Sequence, residues 1–481
     1  MRTALDFHDI QGLVLNGYRH LNHARFVLLQ IADADATKRW LAHVANHIGS
    51  ARRRRGEEEL PGSQINLALT LSGLSKLGLP QETLEAFPRE FQMGMDAPER
   101  SRRLGDVGEC APERWQFGAP TTPRIDLLLM LYARDAATLD QSTHQALSTA
   151  PSSNGVEEVF RQHSVRHDDK EPFGFRDGIS QPAIEGSGQR PPGQAILKAG
   201  EFILGHVDEY GDLVSVPSVP RKLDPAGVLT PDLSHPTHSS FGRNGSYLVL
   251  RKLEQDVAGF QNFVARASRN ADGSDNPERA RLIAAKMVGR WPSGAPLTLA
   301  PEKDDPELGS NKHRNNNFGF AVTDRDGFAC PIGSHIRRAN PRDALVFPKS
   351  PARALNLSNR HRIIRRGRPY RDNAEQGILF IALNASIARQ FEFIQQSWLN
   401  NPKFNGLYDE IDPLSSASTG NGMMTIQAKP LREHLPGLPR FVTMRGGAYF
   451  FMPSIRAIKF LAQLRQTPRL NQISRVIIDQ G

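Results

Sequence analysis

The sequence predicts an α+β fold in which two ferredoxin-like units follow one another along the chain. The apolar pattern alternates between strand-like and helix-like spacing in the order βαββαβ, and that order recurs in the second half. The length of 481 residues also exceeds what one hydrophobic core usually serves. We place the boundary in the Gly/Pro-rich stretch GSGQRPPG (186–193), which gives an N-terminal unit at 1–190 and a C-terminal unit at 191–481.

The N-terminal unit contains apolar runs typical of buried strands and two segments with apolar residues at helical spacing. ARFVLLQI supplies the first strand and ADATKRWLAHVANHI the first helix. The predicted strands are 24–31, 65–72, 124–133 and 156–163, and the predicted helices are 34–48 and 135–150. A unit of this order has an antiparallel sheet with both helices on one face.

The C-terminal unit repeats the order with less clarity because long insertions interrupt it. The predicted strands are 246–253, 361–366, 377–384 and 446–453, and the predicted helices are 254–268 and 385–399. The insertions cover 216–240 and about 270–340. Loops of that length in a compact protein are usually functional or disordered.

The charge of the chain does not predict a nucleic-acid partner. The formal net charge is +9 and the pI is about 9.6, but the basic residues are scattered. The one dense block, ARRRRGEEEL (51–60), nearly cancels its own charge and is typical of a solvated loop. Paired Cys/His fingers and aromatic-rich sheet motifs are both missing, so we expect no nucleic acid as a partner.

Cysteine content and hydropathy predict a soluble protein in a reducing compartment. Cys110 and Cys330 are too few for a disulfide framework, although they leave room for one isolated bridge. No segment approaches the ~20 consecutive apolar residues that cross a bilayer, and the first twenty residues lack the apolar run of a signal peptide. We therefore expect a cytoplasmic protein without a membrane partner.

Common catalytic motifs are missing from the sequence, and three separate loci remain as candidates for chemistry. The sequence contains no P-loop, no HExxH and no GxSxG, which removes the most readable nucleotide enzymes and hydrolases. The first locus is Gly174-Phe-Arg-Asp-Gly178, in which the flanking glycines allow the backbone to approach a ligand. On these residues alone, Asp177 could equally cap its own loop in an Asx-turn.

The second locus is CPIGSHIRRANPRD, where His335 lies inside the long insertion. Three arginines follow it: Arg337, Arg338 and Arg342. Positive neighbours disfavour a further cation, so we expect a lowered pKa for His335 and a neutral imidazole that could bind a metal. The arginines suit an anionic ligand, although a surface histidine in a basic loop has the same pattern.

The third locus is HRIIRRGRPYRD, where Arg365 and Arg366 end a short apolar strand before Gly367. An arginine at a strand end beside a glycine can point into a cleft, and it can also face solvent. In the next strand, GILFIALN, alternation sends Ile378 and Phe380 to one face and Leu379 and Ile381 to the other.

Taken together, these segments resemble one family, the dye-decolorising peroxidases, which are haem enzymes built from two ferredoxin-like units. The resemblance extends over nearly the whole chain, and its motifs occur in the family's order: DIQGLVLNGY, FGFRDGISQP, CPIGSHIRRANPR, IIRRGRPY, FEFIQQSW and GGAYFFMPS. It implies one haem b per chain in the C-terminal unit, hydrogen peroxide as oxidant, and a dye, phenol or other bulky aromatic as reductant.

The resemblance also implies a role for each locus. His335 matches the axial ligand of the haem iron, Asp177 the distal acid and base, and Arg365 the distal arginine, because it has the RxGxP spacing. If the match to the motif were shifted by one residue, Arg366 would be assigned this role instead of Arg365. Arg342 matches a partner for a haem propionate.

The remaining expectations concern the surroundings of the haem. The resemblance suggests that Ile378 and Phe380 wall the distal side, and either Glu392 or Asp412 could be the acid that orients the axial histidine. Electrons from bulky donors would have to pass through aromatic side chains near the motifs. The candidate relays are Tyr370, Trp398, Tyr408 and Tyr449, for each of which simple packing is the alternative.

An aspartate base predicts an acidic activity optimum, because carboxylic acids ionise at lower pH than the histidine base of many other peroxidases. Two alternatives stay open. The protein could bind or deliver haem with only incidental peroxidase activity, or it could be another haem enzyme on the same scaffold that acts on chlorite or coprohaem. A haem bound through the Cys330 thiolate is not expected, because the chain lacks the glycine-flanked cysteine loop that such enzymes use.

Overall fold

The computed structural model describes residues 4–52, 59–148, 155–346, 350–372, 375–415, 417 and 420–465. The central part of the basic and acidic block, residues 53–58, lies outside these ranges, so the expectation of a solvated loop there stays a prediction. Among the described residues, no helix has the length and apolar character that crossing a membrane would require.

The architecture is organised by one nine-stranded sheet. Its strands are β1 (His23–Ile31), β2 (Ser63–Leu69), β3 (Leu127–Ala133), β4 (Val156–Val165), β5 (Ser246–Gln255), β6 (Ile364–Arg365), β7 (Arg368–Asp372), β8 (Glu375–Asn384) and β9 (Val442–Met452). Seven of these strands correspond to strands that the sequence predicts. The predicted strand 361–366 is shorter than expected, because His361 and Arg362 belong to the turn before it, and β7 follows as a separate short strand.

The strand order is the same in both halves of the sheet. It is β2-β3-β1-β4 in the first half and β6-β8-β5-β9 in the second, with β7 also paired to β8, and all pairs are antiparallel. Each half therefore has the arrangement of a ferredoxin-like unit, which confirms the predicted fold class. The halves meet edge to edge where Phe451 of β9 pairs with Leu69 of β2. The division at residue 190 stays a prediction.

Helices cover one face of the sheet. Trp40 and Leu41 of helix Ala34–Val44, and Leu139 of helix Ala136–Ser148, share a core with Val27 and Leu29 of β1. The first helix begins at Asp33, whose carboxylate accepts a hydrogen bond from the Ala36 N–H at 2.8 Å. A capping bond of this kind satisfies a backbone donor that has no partner within the helix.

The predicted helix 385–399 forms as two wide π-helical segments, Ala388–Glu392 and Ile394–Leu399. π-Helical turns are rare and often occur at functional sites. The other helix predicted in this unit, at 254–268, forms as Val257–Ala267. The two π-helical segments also line a large cavity, through Phe391, Ile394 and Leu399.

The remaining elements are short. The α-helices are Gly12–Leu15, Leu71–Lys76, Gln81–Glu85, Arg89–Met93, Pro98–Leu104, Pro277–Val288, Pro306–Ser310, His335–Ala339, Pro351–Asn359 and Ile455–Gln463. The 3₁₀ turns are Gly108–Cys110, Pro112–Arg114, Ala199–Glu201, Arg221–Leu223 and Phe404–Gly406. The strands outside the main sheet are Ala183–Ile184, Ile196–Leu197, Ser218–Pro220, Thr230–Pro231, His238–Ser240, Gly422–Ile426 and Glu433–Leu438.

Both long insertions are folded rather than structureless. Residues 216–240 form a small three-stranded sheet, and residues 270–340 contain three of the short helices. Cys110 and Cys330 are both buried free thiols, so the isolated bridge for which the sequence left room does not form.

Gly118 offers a test of the packing between the first half and β9. A methyl group at Gly118 would collide with the carbonyl oxygen of Gly447, and the backbone there has a φ of +73°. We expect Gly118→Ala to lower the free energy of unfolding by about 1 to 3 kcal/mol more than Gly211→Ala, because overpacking adds to backbone strain. Gly211 has a φ of +89° and open space around it, so it is the matched control. Equal urea midpoints for the two variants would contradict the expectation.

Candidate functional site

A cavity of about 310 Å³ lies against the second half of the sheet, on the face that carries the helices. Ile378 and Phe380 of β8 form part of its wall, as alternation predicts, while Leu379 and Ile381 are buried in the core on the opposite face. Leu253, Met444, Ile394 and Leu399 extend the apolar lining. The volume is in the range that is usual for small-molecule and cofactor pockets.

Asp177 and Arg365 meet at the cavity wall. Arg365 Nη1 lies 3.3 Å from Asp177 Oδ1, and its Nη2 donates to the Ile179 carbonyl at 2.8 Å. The positive φ angles of Gly174 and Gly178 allow the loop to turn on both sides of Asp177. An Asx-turn would require a hydrogen bond from a backbone N–H to the Asp177 carboxylate. Among the described residues no backbone N–H donates to it, so the Asx-turn interpretation is wrong.

The ion pair also borders a second, smaller cavity. This cavity has a volume of about 90 Å³ and shares Asp177 and Arg365 with the larger one. The two side chains retain partial exposure, 44% for Asp177 and 34% for Arg365. The pair is thus accessible to a small molecule, unlike a structural ion pair in a core.

Arg366 points away from the cavity. Its guanidinium donates to the carbonyl oxygens of Leu13 and Val14 at 2.8 and 2.9 Å, and so attaches the N-terminal segment to the sheet. Of the two adjacent arginines in the third locus, only Arg365 lines the large cavity. The RxGxP spacing therefore identified Arg365, which is the arginine that faces the large cavity.

His335 begins a short helix, His335–Ala339, and lines the same cavity. Its Nδ1 lies 2.9 Å from Oδ2 of Asp412, whose side chain is fully buried. The other oxygen of Asp412 accepts hydrogen bonds from the backbone N–H groups of Leu414 and Ser415 at 3.0 and 2.8 Å. These bonds fix the position of the carboxylate, which in turn fixes the orientation of the imidazole ring.

Glu392 does not contact His335. Its carboxylate accepts hydrogen bonds from Arg100 Nη1 at 2.8 Å and from the Tyr449 hydroxyl at 2.9 Å. Of the two acids that the sequence left open as partners of the histidine, Asp412 is the one in contact.

The expected lowering of the His335 pKa is wrong, because the pKa is raised. Burial lowers it, but the negative charge of Asp412 and the hydrogen bond to it raise it by more. Arg337 and Arg338 do not govern this pKa, since both side chains point away from the cavity. Arg337 pairs with Asp324 at 3.1 Å, and Arg338 donates to backbone carbonyls.

Five other arginines line the cavity. Arg176 and Arg251 pair with Asp169 and Asp106, and the remaining three are Arg290, Arg342 and Arg362. Arg342 donates to the Asn316 and Phe318 carbonyls at 3.1 and 2.7 Å, and Arg362 donates to the Ser180 carbonyl at 2.7 Å. Arg290 donates to the Asn315 carbonyl at 2.6 Å. None of the three forms an ion pair with a carboxylate in the described part of the chain.

The arginine pKa values reflect this crowding. Burial, followed by the charge of Arg290, lowers the pKa of Arg342 to about 9. Burial, followed by the charges of Arg342 and Arg365, lowers the pKa of Arg362 to about 9. The sequence had indicated only Arg342. Arg362 lies in the third locus but gave no separate signal, and Arg290 lies in the long insertion without a motif.

The candidate relay residues differ in exposure. Tyr370, Trp398 and Tyr449 are buried, whereas the side chain of Tyr408 is 83% exposed. The four candidate relay residues therefore do not form one group at the protein surface.

No protein-family model matches the sequence. Peroxidase 2 of Mycetinis scorodonius is 33% identical, covering 95% of this chain and 88% of that protein. The dye-decolorising peroxidase of Exidia glandulosa is 30% identical, covering 95% of this chain and 87% of that protein. A solved dye-decolorising peroxidase in complex with 2,6-dimethoxyphenol superposes with a TM-score of 0.76 at 29% identity, covering 95% of this chain and 100% of that one.

The fold and these similarities define the protein as an oxidoreductase of the peroxidase class. It belongs to the dye-decolorising peroxidase family, whose members are haem enzymes. The family resemblance that the motifs indicated is confirmed.

The unpaired arginines of the cavity can be tested without any ligand. We expect Arg362→Met to change the free energy of unfolding of the haem-free protein by less than about 1 kcal/mol, because relief of repulsion offsets the lost hydrogen bond. Arg337→Met should lower it by about 3 to 5 kcal/mol, because Asp324 would remain buried without its cation. Guanidinium unfolding of both variants checks this, and an equal loss in both would contradict it.

Proposed function

We propose that the protein reduces hydrogen peroxide with a bound haem b and oxidises phenols, dyes or other one-electron donors. His335 would bind the haem iron, Asp177 would act as acid and base, and Arg365 would stabilise charge. The observation that carries the proposal is one cavity that joins a carboxylate-fixed imidazole to an accessible carboxylate–guanidinium pair.

The residues of the cavity fit a haem. Its apolar walls suit the porphyrin. The guanidinium groups of the buried Arg290 and the half-buried Arg342 and Arg362, which lack carboxylate partners among described residues, suit the two propionates. His335 supplies an imidazole whose Nε2 forms no hydrogen bond with described residues. When bound, haem supplies an iron that exchanges electrons with peroxide.

Asp412 prepares His335 for ligation. By accepting a hydrogen bond from Nδ1–H, its carboxylate sets the tautomer so that Nε2 presents its lone pair, and it increases the electron density that the imidazole donates. Since burial of Asp412 is complete and its other oxygen is bonded to the backbone, the ring has one orientation.

Asp177 moves the proton that cleavage of peroxide requires. Its carboxylate removes a proton from one peroxide oxygen and returns it to the other, which then leaves as water. Arg365 carries a fixed positive charge 3.3 Å from that carboxylate and stabilises the negative charge that develops on the leaving oxygen. The reaction as a whole converts hydrogen peroxide, two protons and two electrons into two molecules of water.

The electron donors are larger than the peroxide. Ile378 and Phe380 form part of the wall of the large cavity, and Ile378 also borders the small cavity of about 90 Å³ beside Asp177, whose size favours small molecules there. A relative binds 2,6-dimethoxyphenol, which supports phenols as a donor class for this chain. Each donor gives one electron, so two donor molecules are consumed for each peroxide.

Four variants test the assigned roles. We expect His335→Ala to lose haem, and Asp177→Asn and Arg365→Leu to keep haem but react with peroxide at least ~100-fold more slowly. Arg366→Leu is the matched control for Arg365→Leu, because its side chain points to Leu13 and Val14, and it should react at the wild-type rate. Stopped-flow absorption after peroxide addition provides the measurement.

The outcomes separate the proposal from simple haem binding. Slow reaction in the wild type with readily lost haem would favour a haem-binding or haem-delivery protein. Equal rates for the Arg365 and Arg366 variants would show that the guanidinium at 365 has no role in the reaction.

The identity of the base sets the pH dependence. We expect wild-type turnover to be highest in acid, and Asp177→His to move the optimum upward, because imidazole ionises near ~6.5 and a carboxylic acid near ~4. Steady-state turnover of a phenol between pH 3 and pH 8 at fixed peroxide gives the two profiles. A wild-type maximum above neutrality that collapses below about pH 5 would contradict the role of Asp177.

A further inference from the structure

Tyr449 is a buried tyrosine with a fixed proton acceptor. It lies on β9 with 3% of its surface exposed, and its hydroxyl donates to Oε1 of Glu392 at 2.9 Å. The other carboxylate oxygen of Glu392 accepts from Arg100 Nη1 at 2.8 Å, and Arg100 also donates to Glu99 at 2.9 Å. The four side chains thus form a chain of charge-assisted hydrogen bonds that leads from the interior to the partly exposed Glu99.

This tyrosine is separated from the cavity by a single aromatic ring. Phe391, the neighbour of Glu392, lines the cavity, and the centroid of its ring lies 6.3 Å from that of Tyr449. Phe391 is also 6.0 Å from Phe380, which forms part of the same wall. The phenol is therefore near the cavity without being open to a ligand in it.

The other candidate relays lack this combination. Tyr370 is buried, but its hydroxyl has no hydrogen-bond partner among the described residues. Trp398 carries no phenolic proton, and Tyr408 is mostly exposed. A tyrosine that loses an electron also releases its hydroxyl proton, because an unpaired positive charge in a protein interior is costly. Only Tyr449, of these four, has a carboxylate in place to receive it.

We propose that Tyr449 is an internal one-electron donor of the peroxidase reaction and that Glu392 receives its proton. The inference rests on the proposed function, which supplies the oxidant: haem that has reacted with peroxide. In the step, one electron leaves Tyr449 for the oxidised haem, and the hydroxyl proton moves to Oε1 of Glu392. The products are a neutral tyrosyl radical and a neutral carboxylic acid beside Arg100.

The reverse transfer closes the cycle. An external phenol gives one electron and releases its own hydroxyl proton to solvent, Glu392 returns its proton to Tyr449, and the tyrosine is restored. Burial raises the pKa of Glu392, which makes its carboxylate a better proton acceptor. Arg100 keeps its contact with Glu99 while Glu392 is neutral, so its own charge stays paired.

The test uses haem-loaded full-length protein, mixed with one equivalent of hydrogen peroxide without donor and frozen for electron paramagnetic resonance. We expect a radical signal in the wild type that changes its hyperfine pattern when ring-deuterated tyrosine is incorporated. That signal should be lost in Tyr449→Phe and reduced several-fold in Glu392→Gln, because an amide cannot hold the proton. Tyr132→Phe is the matched control, since Tyr132 is equally buried and its hydroxyl has no partner among described residues.

A second measurement covers the folding and haem content of the variants. Optical spectra should show wild-type haem content and wild-type initial reaction with peroxide in Tyr449→Phe, followed by several-fold slower return to the resting spectrum in the absence of donor. An unchanged tyrosyl signal in Tyr449→Phe would overturn the inference and leave the proposed function intact. A wild-type spectrum that does not respond to peroxide would overturn the proposed function, and the inference with it.

Discussion

Buried positive charge is the constraint on which the site depends. Six guanidinium groups border one cavity. Those of Arg176, Arg251 and Arg365 are paired with carboxylates, whereas those of Arg290, Arg342 and Arg362 form no ion pair with described residues. Such charge is costly to bury unless hydrogen bonds compensate it. Much of the compensation comes from backbone carbonyls of the insertion at 270–340, including those of Asn315, Asn316 and Phe318. The insertion thus holds the guanidinium groups of Arg290 and Arg342 through its backbone carbonyls and leaves their charges suited to an anionic ligand.

The cavity combines rigid and adaptable parts of the fold. Part of its apolar wall consists of alternate side chains of β5, β8 and β9, which are adjacent strands in the second half of the sheet. Its polar groups come from places where strands end or loops turn: Arg365 from the end of β6, Asp177 from a loop between two glycines, and His335 from the first position of a short helix. The apolar wall therefore depends on sheet register, and the polar groups depend on turns.

Three carboxylates in or near the cavity, of which Asp177 lines it and Asp412 and Glu392 lie behind its lining residues, have different surroundings and consequently different chemistry. Asp177 is partly exposed beside Arg365, Asp412 is fully buried against His335, and Glu392 is buried between Arg100 and Tyr449. Burial lowers the pKa of His335, but Asp412 outweighs it, so the net shift is upward. The sequence could not anticipate this sign, because Arg337 and Arg338 are adjacent to His335 in the chain but turn into the protein, while Asp412 is 77 residues away.

The sequence by itself determined the α+β class, the repeated strand order, and the three loci that meet at the cavity, because apolar periodicity and glycine-bounded motifs are local properties of the chain. It also placed Ile378 and Phe380 on the cavity face, since alternation along a strand has a fixed period of two. Only the tertiary structure decided that Asp412 rather than Glu392 contacts the histidine, that Arg290 and Arg362 join Arg342, and that Tyr449 has a proton acceptor. Those contacts join residues far apart in sequence, and no local pattern encodes which distant side chain will fill a given position.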